Sequence, residues 1–248
     1  MTALESVLTP RGVVLSEIPL QIDEDEVLRF QGYKKGIDHP TADVLDLFES
    51  ALALGERLMV PRAVYRAVSV AGQGPDWIRV ADGTLLHIPE IQRLWGSLAA
   101  VGAAICTVGE PIEVHVRELF DAHEFPLAVM LDSVGSAAAE CLAEYVNDLL
   151  CQVAIREGQK VTNRVSPGYA GWDVAEQVRL FALCPGDPVG VKLNDHSVMA
   201  PGKSISFLVG VGPEARVDHY FSQCRRCWMR GCAYRRVAAE RTVHRARR

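Results

Sequence analysis

From Pro126 to about Arg156 the sequence reads as one long, alanine-rich helical stretch, with Gly135 the point at which a break is expected. No other segment constrains the fold as much, because a helix advances about 1.5 Å per residue and one of this length sets the long dimension of a domain. Glu140 and Glu144 lie four residues apart on it and therefore share a face.

The segments around it mix both periodicities. Thr41 can cap a helix that runs to about Leu58, with Val44, Leu47, Phe48, Ala51 and Leu54 on one face. Ile78–Ala81 and Thr84–Ile88 are short strand candidates joined by Asp82-Gly83, a dipeptide that favours a tight hairpin because glycine accepts positive φ. Pro89 can start a helix striped by Ile91, Leu94, Trp95 and Leu98. Ala103–Val108 and Ser204–Val211 read as buried strands, Glu110–Ala122 as a helix, and Ser6–Ile18 as an extended arm. Pro213 is expected to open a last helix. Helices and strands alternate without a βαβ rhythm, which predicts an α+β domain built on a mainly antiparallel twisted sheet with flanking helices. No glycine-rich phosphate loop follows a strand, so an adenosyl cofactor would bind outside the Rossmann mode.

Composition sets limits on function. The chain has 248 residues, 49% apolar and 23% charged, an ordinary globular balance. No secretory signal is visible in residues 1–20, and no apolar run of the roughly 18 residues that span a bilayer stands out, so the expectation is a cytoplasmic protein with no membrane partner. A formal charge of -5 argues against nucleic acid as partner. The exception is the basic tail, where Arg235, Arg236, Arg241, Arg245, Arg247 and Arg248 face one acid, Glu240. That tail reads as a solvated end or as a docking strip for an acidic partner. Of the seven cysteines, Cys106, Cys141, Cys151 and Cys184 sit among apolar neighbours and look like small buried side chains.

Three segments carry chemistry. Asn163 to Trp172 is a rigid turn in which Pro167 fixes φ, Gly168 permits close approach, Arg164 offers a planar fork for a carboxylate, and Tyr169 and Trp172 offer flat faces with polar tips. Taken alone it is equally a structural loop with an arginine ion pair. The run Ser136 to Tyr145 places Glu140 among alanines, where an acid can face a pocket or simply solvent. Met199 to Ser206 is a Pro-Gly turn feeding a strand, with Lys203 and two hydroxyls at its start; an ordinary loop-to-strand entry explains it as well.

Together, in order and approximate spacing, these segments resemble the activation domain of cobalamin-dependent methionine synthase, and more closely its stand-alone relatives. The likeness rests on Arg164, Ser166 and Pro167-Gly168-Tyr169, on Glu140 in a small-residue helix, and on Pro201-Gly202 with Ser204-Ile205-Ser206. It covers roughly Ala103 to Val211; the stand-alone relatives extend it to Glu26–Phe30 with Gly32-Tyr33 and to Pro61–Arg66. The resemblance implies an S-adenosylmethionine (SAM) site. Arg164 would hold the methionyl carboxylate, Glu140 the ammonium, backbone around Ser166 and Gly168 the adenosyl part, and Tyr169 would lie toward cobalamin. It implies methyl transfer from the sulfonium to the cobalt of an inactivated corrinoid after one-electron reduction, chemistry that needs alignment rather than a general base. If the chain is itself an enzyme, the resemblance implies a SAM-dependent methyltransferase acting on cob(I)alamin. After Tyr169 the sequence departs from that family's loop. The chain also lacks the cobalamin motif Asp-x-His-x-x-Gly: Asp121-Ala122-His123 has Pro126 where the glycine should be. Cobalamin would therefore come from a partner, a corrinoid protein or cobalamin-dependent methyltransferase, with a flavodoxin- or ferredoxin-type reductant.

Cys224-x-x-Cys227 with Cys232, interleaved with Arg225, Arg226 and Arg230, is spaced like a metal-ligand set whose pKa values the arginines would lower. An Fe–S cluster is one reading; structural zinc or a reducible thiol pair are the others. The fourth ligand is open between Cys184 and an outside group. The expected organisation is an N-terminal α+β part (1–100), a SAM-binding core (101–221), a Cys-rich extension (222–236) and the basic tail (237–248). Two functions from other classes compete with reactivation: a non-catalytic metal-binding adaptor between a corrinoid protein and its reductase, and SAM-dependent methyl transfer to another acceptor.

Overall fold

The computed structural model of the protein describes residues 8–34, 36–169 and 171–217. The expected helix over 126–156 is α5 (Phe125–Arg156), and it is unbroken. Gly135 interrupts nothing. Its missing side chain leaves room for a neighbour, since a Cβ there would lie 3.1 Å from Ile112 and 3.4 Å from the Lys203 stem. By length and composition α5 could cross a membrane, contrary to the expectation of no such run. In this fold it is a core helix, with Leu131, Val134, Ala138, Leu142, Val146 and Leu150 buried.

α5 packs on a curled antiparallel sheet. The strands are β1 (Val13–Ser16), β2 (Arg62–Gly74), β3 (Trp77–Val80), β4 (Leu85–His87), β5 (Ala100–Thr107), β6 (Lys160–Val161) and β9 (Ser204–Gly212), in the order β4-β3-β2-β5-β9-β6 with β1 also on β2. A separate hairpin pairs β7 (Lys192–Leu193) with β8 (Met199–Ala200). β2 produces the curl. Arg62 to Ser69 pair with β5, then the register shifts between Val70 and Gly72, and the rest pairs with β3. A bulge of this kind bends a strand and sharpens its twist.

Alternation along β5 and β9 separates two cores. Ala100, Ala104 and Cys106 of β5 and Phe207, Val209 and Val211 of β9 face α5, α4 (Pro111–Asp121) and α2 (Ala42–Leu58). Val101, Ala103, Ile105 and Leu208 face the opposite side, where α3 (Ile91–Trp95), α6 (Gln177–Leu183) and the β3–β4 hairpin close over them. A short helix α1 (Glu24–Phe30) lies against α5. The fold is thus the expected α+β class, an antiparallel sheet flanked by helices.

Three local expectations are corrected. The stripe through Leu98 ends early, because Gly96 at φ +72 stops α3 after Trp95. Pro213 opens a turn, not a helix; Ala215 bridges to Gly96, and Arg216 N–H donates to the Trp95 carbonyl at 2.8 Å. Thr41 does precede α2, but its hydroxyl makes no capping bond.

Burial has a consequence for the thiols. Cys106 and Cys184 are fully enclosed, and desolvation pushes the Cys184 thiol up to about 12 and the Cys106 thiol up as well, against the opposing charge of Arg164. Both thiols hold their protons in the folded chain at pH values where an unfolded thiol, ordinarily at 9.0, has lost its own. Folding stability should therefore fall as pH rises above 9, by up to about 1.4 kcal/mol per pH unit for each thiol. Urea unfolding at pH 8, 9 and 10 checks this. A midpoint that holds or rises across that range contradicts the burial of these thiols.

Candidate functional site

Residues 160–165 run along the free edge of β9. Val161 pairs with Val211, Thr162 N–H donates to the Gly210 carbonyl, and Val165 exchanges two backbone bonds with Leu208 at 2.8 and 2.9 Å. With Val165 turned into the second core, Arg164 points to the α5 side. Its Nη2 donates to Glu140 Oε2 at 2.8 Å, and its guanidinium lies 5.9 Å from the centre of the Phe207 ring. Arginine over an aromatic face at this range is favourable. The two side chains are 25% and 31% exposed, so the pair sits at a boundary that a ligand can reach.

The loop that follows is closed on itself. Tyr169 N–H donates to the Ser166 carbonyl, Gly168 N–H to the Trp172 carbonyl, and Trp172 N–H to the Tyr169 carbonyl. Gly168 takes φ +92, a conformation that favours glycine, and among the described residues beyond its chain neighbours none lies closer than 4.0 Å to where its Cβ would be. Pro167 is buried, Gly168 is open and Tyr169 is 49% exposed. Trp172 turns inward at 4% exposed, and its buried indole N–H finds no acceptor among the described residues.

The third segment meets α5 one turn before Glu140. Lys203 Nζ pairs with Asp132 Oδ1 at 2.7 Å and donates to Ser136 Oγ at 2.8 Å. Its backbone N–H donates to the Glu113 carboxylate. Ser204 and Ser206 are used internally, by Thr107 and Gln177. A polar seam results along α5: Asp132 and Ser136 hold Lys203, and Glu140 holds Arg164. Sequence reasoning missed Asp132, Ser136 and Phe207 as members of this seam. The i, i+4 spacing of 132, 136 and 140 was the available signal; Phe207 gave none.

Beyond Glu140 the same helix face walls an open groove of about 450 Å³ with Gln21, Asp23, Glu26, Glu144 and Asp148. A larger cleft of about 590 Å³ lies at the α3 end, around Asp76, Glu90, Arg93 and Arg216, and none of the expected site residues lines it. The chemistry of the Arg164 seam, not cavity size, makes it the candidate site.

Cys224, Cys227 and Cys232 lie outside the described residues, as do the basic tail and Ala170. Among the described residues no group of three or more His, Cys, Asp or Glu side chains is placed to hold a metal ion. Cys184, considered as a fourth ligand, is buried in the second core with its thiol toward the Val64 carbonyl.

No family model matches the chain, and no curated protein matches it. Its fold is that of a solved structure, a MetH reactivation domain bound to AdoHcy. The TM-score is 0.67 at 17% sequence identity, over 86% of this chain and 81% of that one.

Proposed function

We propose that the chain binds S-adenosylmethionine at the Arg164–Glu140 seam and supports reductive remethylation of the cobalamin of a partner corrinoid methyltransferase. The observation that carries the reading is the meeting of Arg164 with Glu140 across 24 residues of sequence, on the fold of a domain solved with AdoHcy. A fixed cation and a fixed anion side by side match the two charges of an amino-acid end. The chain's residues would act by holding and aiming. Arg164 takes the carboxylate and Glu140 the ammonium. Backbone of Ser166 and Gly168 lies against the adenosyl part, where the open side of Gly168 allows approach. Pro167 fixes that turn, and Tyr169 faces the corrinoid. Bound SAM supplies the methyl group; the protein contributes orientation toward cobalt. The corrinoid would be supplied by a partner, a corrinoid protein or cobalamin-dependent methyltransferase; these 248 residues hold no Asp-x-His-x-x-Gly motif. An iron–sulfur cluster on Cys224, Cys227 and Cys232 belongs to the same proposal and would supply the reducing electron; a zinc ion there would be structural only.

Calorimetric titration of SAM and of AdoHcy into anaerobically purified protein tests the site. Saturable one-to-one binding of both is expected. Absence of binding by either ligand removes the reading and leaves the metal-binding adaptor as the better account.

A further inference from the structure

The groove beyond Glu140 has apolar walls and an acidic rim. One wall is the face of α5 that carries Glu140, Cys141, Glu144, Tyr145 and Asp148; the other comes from residues 19–26. The Cys141 thiol donates to the Gln21 carbonyl at 3.3 Å and ties the two walls together. Pro19, Ala137 and the Tyr145 ring, 42% exposed, supply the apolar surface. Asp23 and Glu26 add two carboxylates to the three on α5, and no basic side chain among the described residues lines the groove. Glu26 holds Arg29 and Glu140 holds Arg164, but among the described residues no ion pair engages Glu144 or Asp148.

A seat of this composition suits arginine, whose planar guanidinium lies flat on an aromatic ring and directs its N–H groups into carboxylates. The sequence has an arginine-rich segment that the function proposed above does not use. Residues 235–248 carry six arginines against Glu240, a formal +5 in a chain whose total is -5, which leaves -10 on residues 1–234. Opposite charges of that size attract, and tethering raises the local concentration of the tail at the groove. The described residues end at Val217. Seven residue steps separate Val217 from Cys224, and nine separate Cys232 from Arg241. At about 3.3 Å each these steps reach about 50 Å even if the cysteines are drawn together. The 32 residues of α5, the longest element, span about 48 Å. Reach therefore does not keep the tail from the groove. We propose that the groove seats the chain's own basic tail, and that the seated tail competes with the ammonium end of a ligand at Glu140. The competition rests on the reading of the seam as a SAM site; the seating does not.

The test uses the full chain with p-benzoylphenylalanine in place of Val243, between Arg241 and Arg245, as a photo-cross-linker. An equal mixture of light and heavy isotope-labelled protein separates links within one chain from links between two. At low salt, irradiation should join position 243 to residues 19–26 or 137–148 of the same chain. The yield should fall at least about threefold in the double variant Glu144→Gln/Asp148→Asn, which removes two charges at exposed positions. It should fall likewise in 1 M salt, where charges are screened beyond about 3 Å. Saturating AdoHcy should lower it too. Links that are absent from both walls, insensitive to the double variant, or formed between chains refute the seating. Links that persist under AdoHcy that calorimetry shows to be bound refute the competition. If calorimetry shows no AdoHcy binding, the site reading itself falls, and the double variant alone decides the seating.

Discussion

Arg164→Ala should leave the protein folded and remove most of its affinity for SAM. The two effects can be separated because they draw on different interactions. The Arg164–Glu140 pair is a quarter to a third exposed, and ion pairs in that setting contribute about 1 kcal/mol or less to stability. Tm should fall by no more than about 4 °C, the shift that 1 kcal/mol produces in a chain of this size. A carboxylate held by a guanidinium is a charge-assisted contact worth about 1.5–3 kcal/mol, so Kd should rise roughly 10- to 150-fold. Lysine at the same place should restore only part of this, since an ammonium lacks the planar fork. Calorimetry with parallel melting curves decides the matter. Unchanged affinity, or a loss of affinity that merely tracks unfolding, would take Arg164 out of the site.

Phe207→Ala should have the largest effect on stability. Phe207 is fully buried in the middle of β9, paired in register with Ala104 and packed in the first core beneath α5. Its neighbours on β5 are small, so little nearby can expand into the space left behind. The expected cost is about 3–5 kcal/mol, or a Tm lower by roughly 6–20 °C. Phe207→Leu should cost clearly less. The ring also backs the guanidinium of Arg164, so AdoHcy affinity should drop modestly in the leucine variant, which keeps the fold. A leucine variant as unstable as the alanine one would mean that ring shape, not volume, holds this layer.

Local signals made parts of this fold legible and non-local ones hid the rest. α2 was visible because its apolar residues repeat at the helical period, and the Asp82-Gly83 turn because Gly83 adopts φ +91 between paired strands. β2 was not read as a strand. Both of its faces are covered over part of its length and it changes partner at the bulge, so its burial follows neither strict alternation nor a continuous run. The helix expected after Pro213 failed for a related reason: Ala215 and Arg216 are claimed by Gly96 and Trp95, more than a hundred residues earlier. The break expected at Gly135 came from reading glycine as a weakness, whereas here it accommodates Lys203 and Ile112. At the site, the residues on one loop were legible as a motif. Their meeting with Glu140 was suggested by family resemblance alone, since pairing across a sheet edge leaves no mark on local spacing.

The uninterrupted course of α5 gives the seam a phase as well as a position. Asp132, Ser136 and Glu140 recur every four residues; the first two engage Lys203 and the third engages Arg164. One residue inserted between Ser136 and Glu140 would rotate everything downstream by about 100° and advance it by about 1.5 Å. Glu140 would then swing off Arg164 while Lys203 kept its partners. The helix should accordingly accept many exchanges of side chain along this stretch but no change in its count, behaving toward the site as a ruler whose graduations matter more than its material.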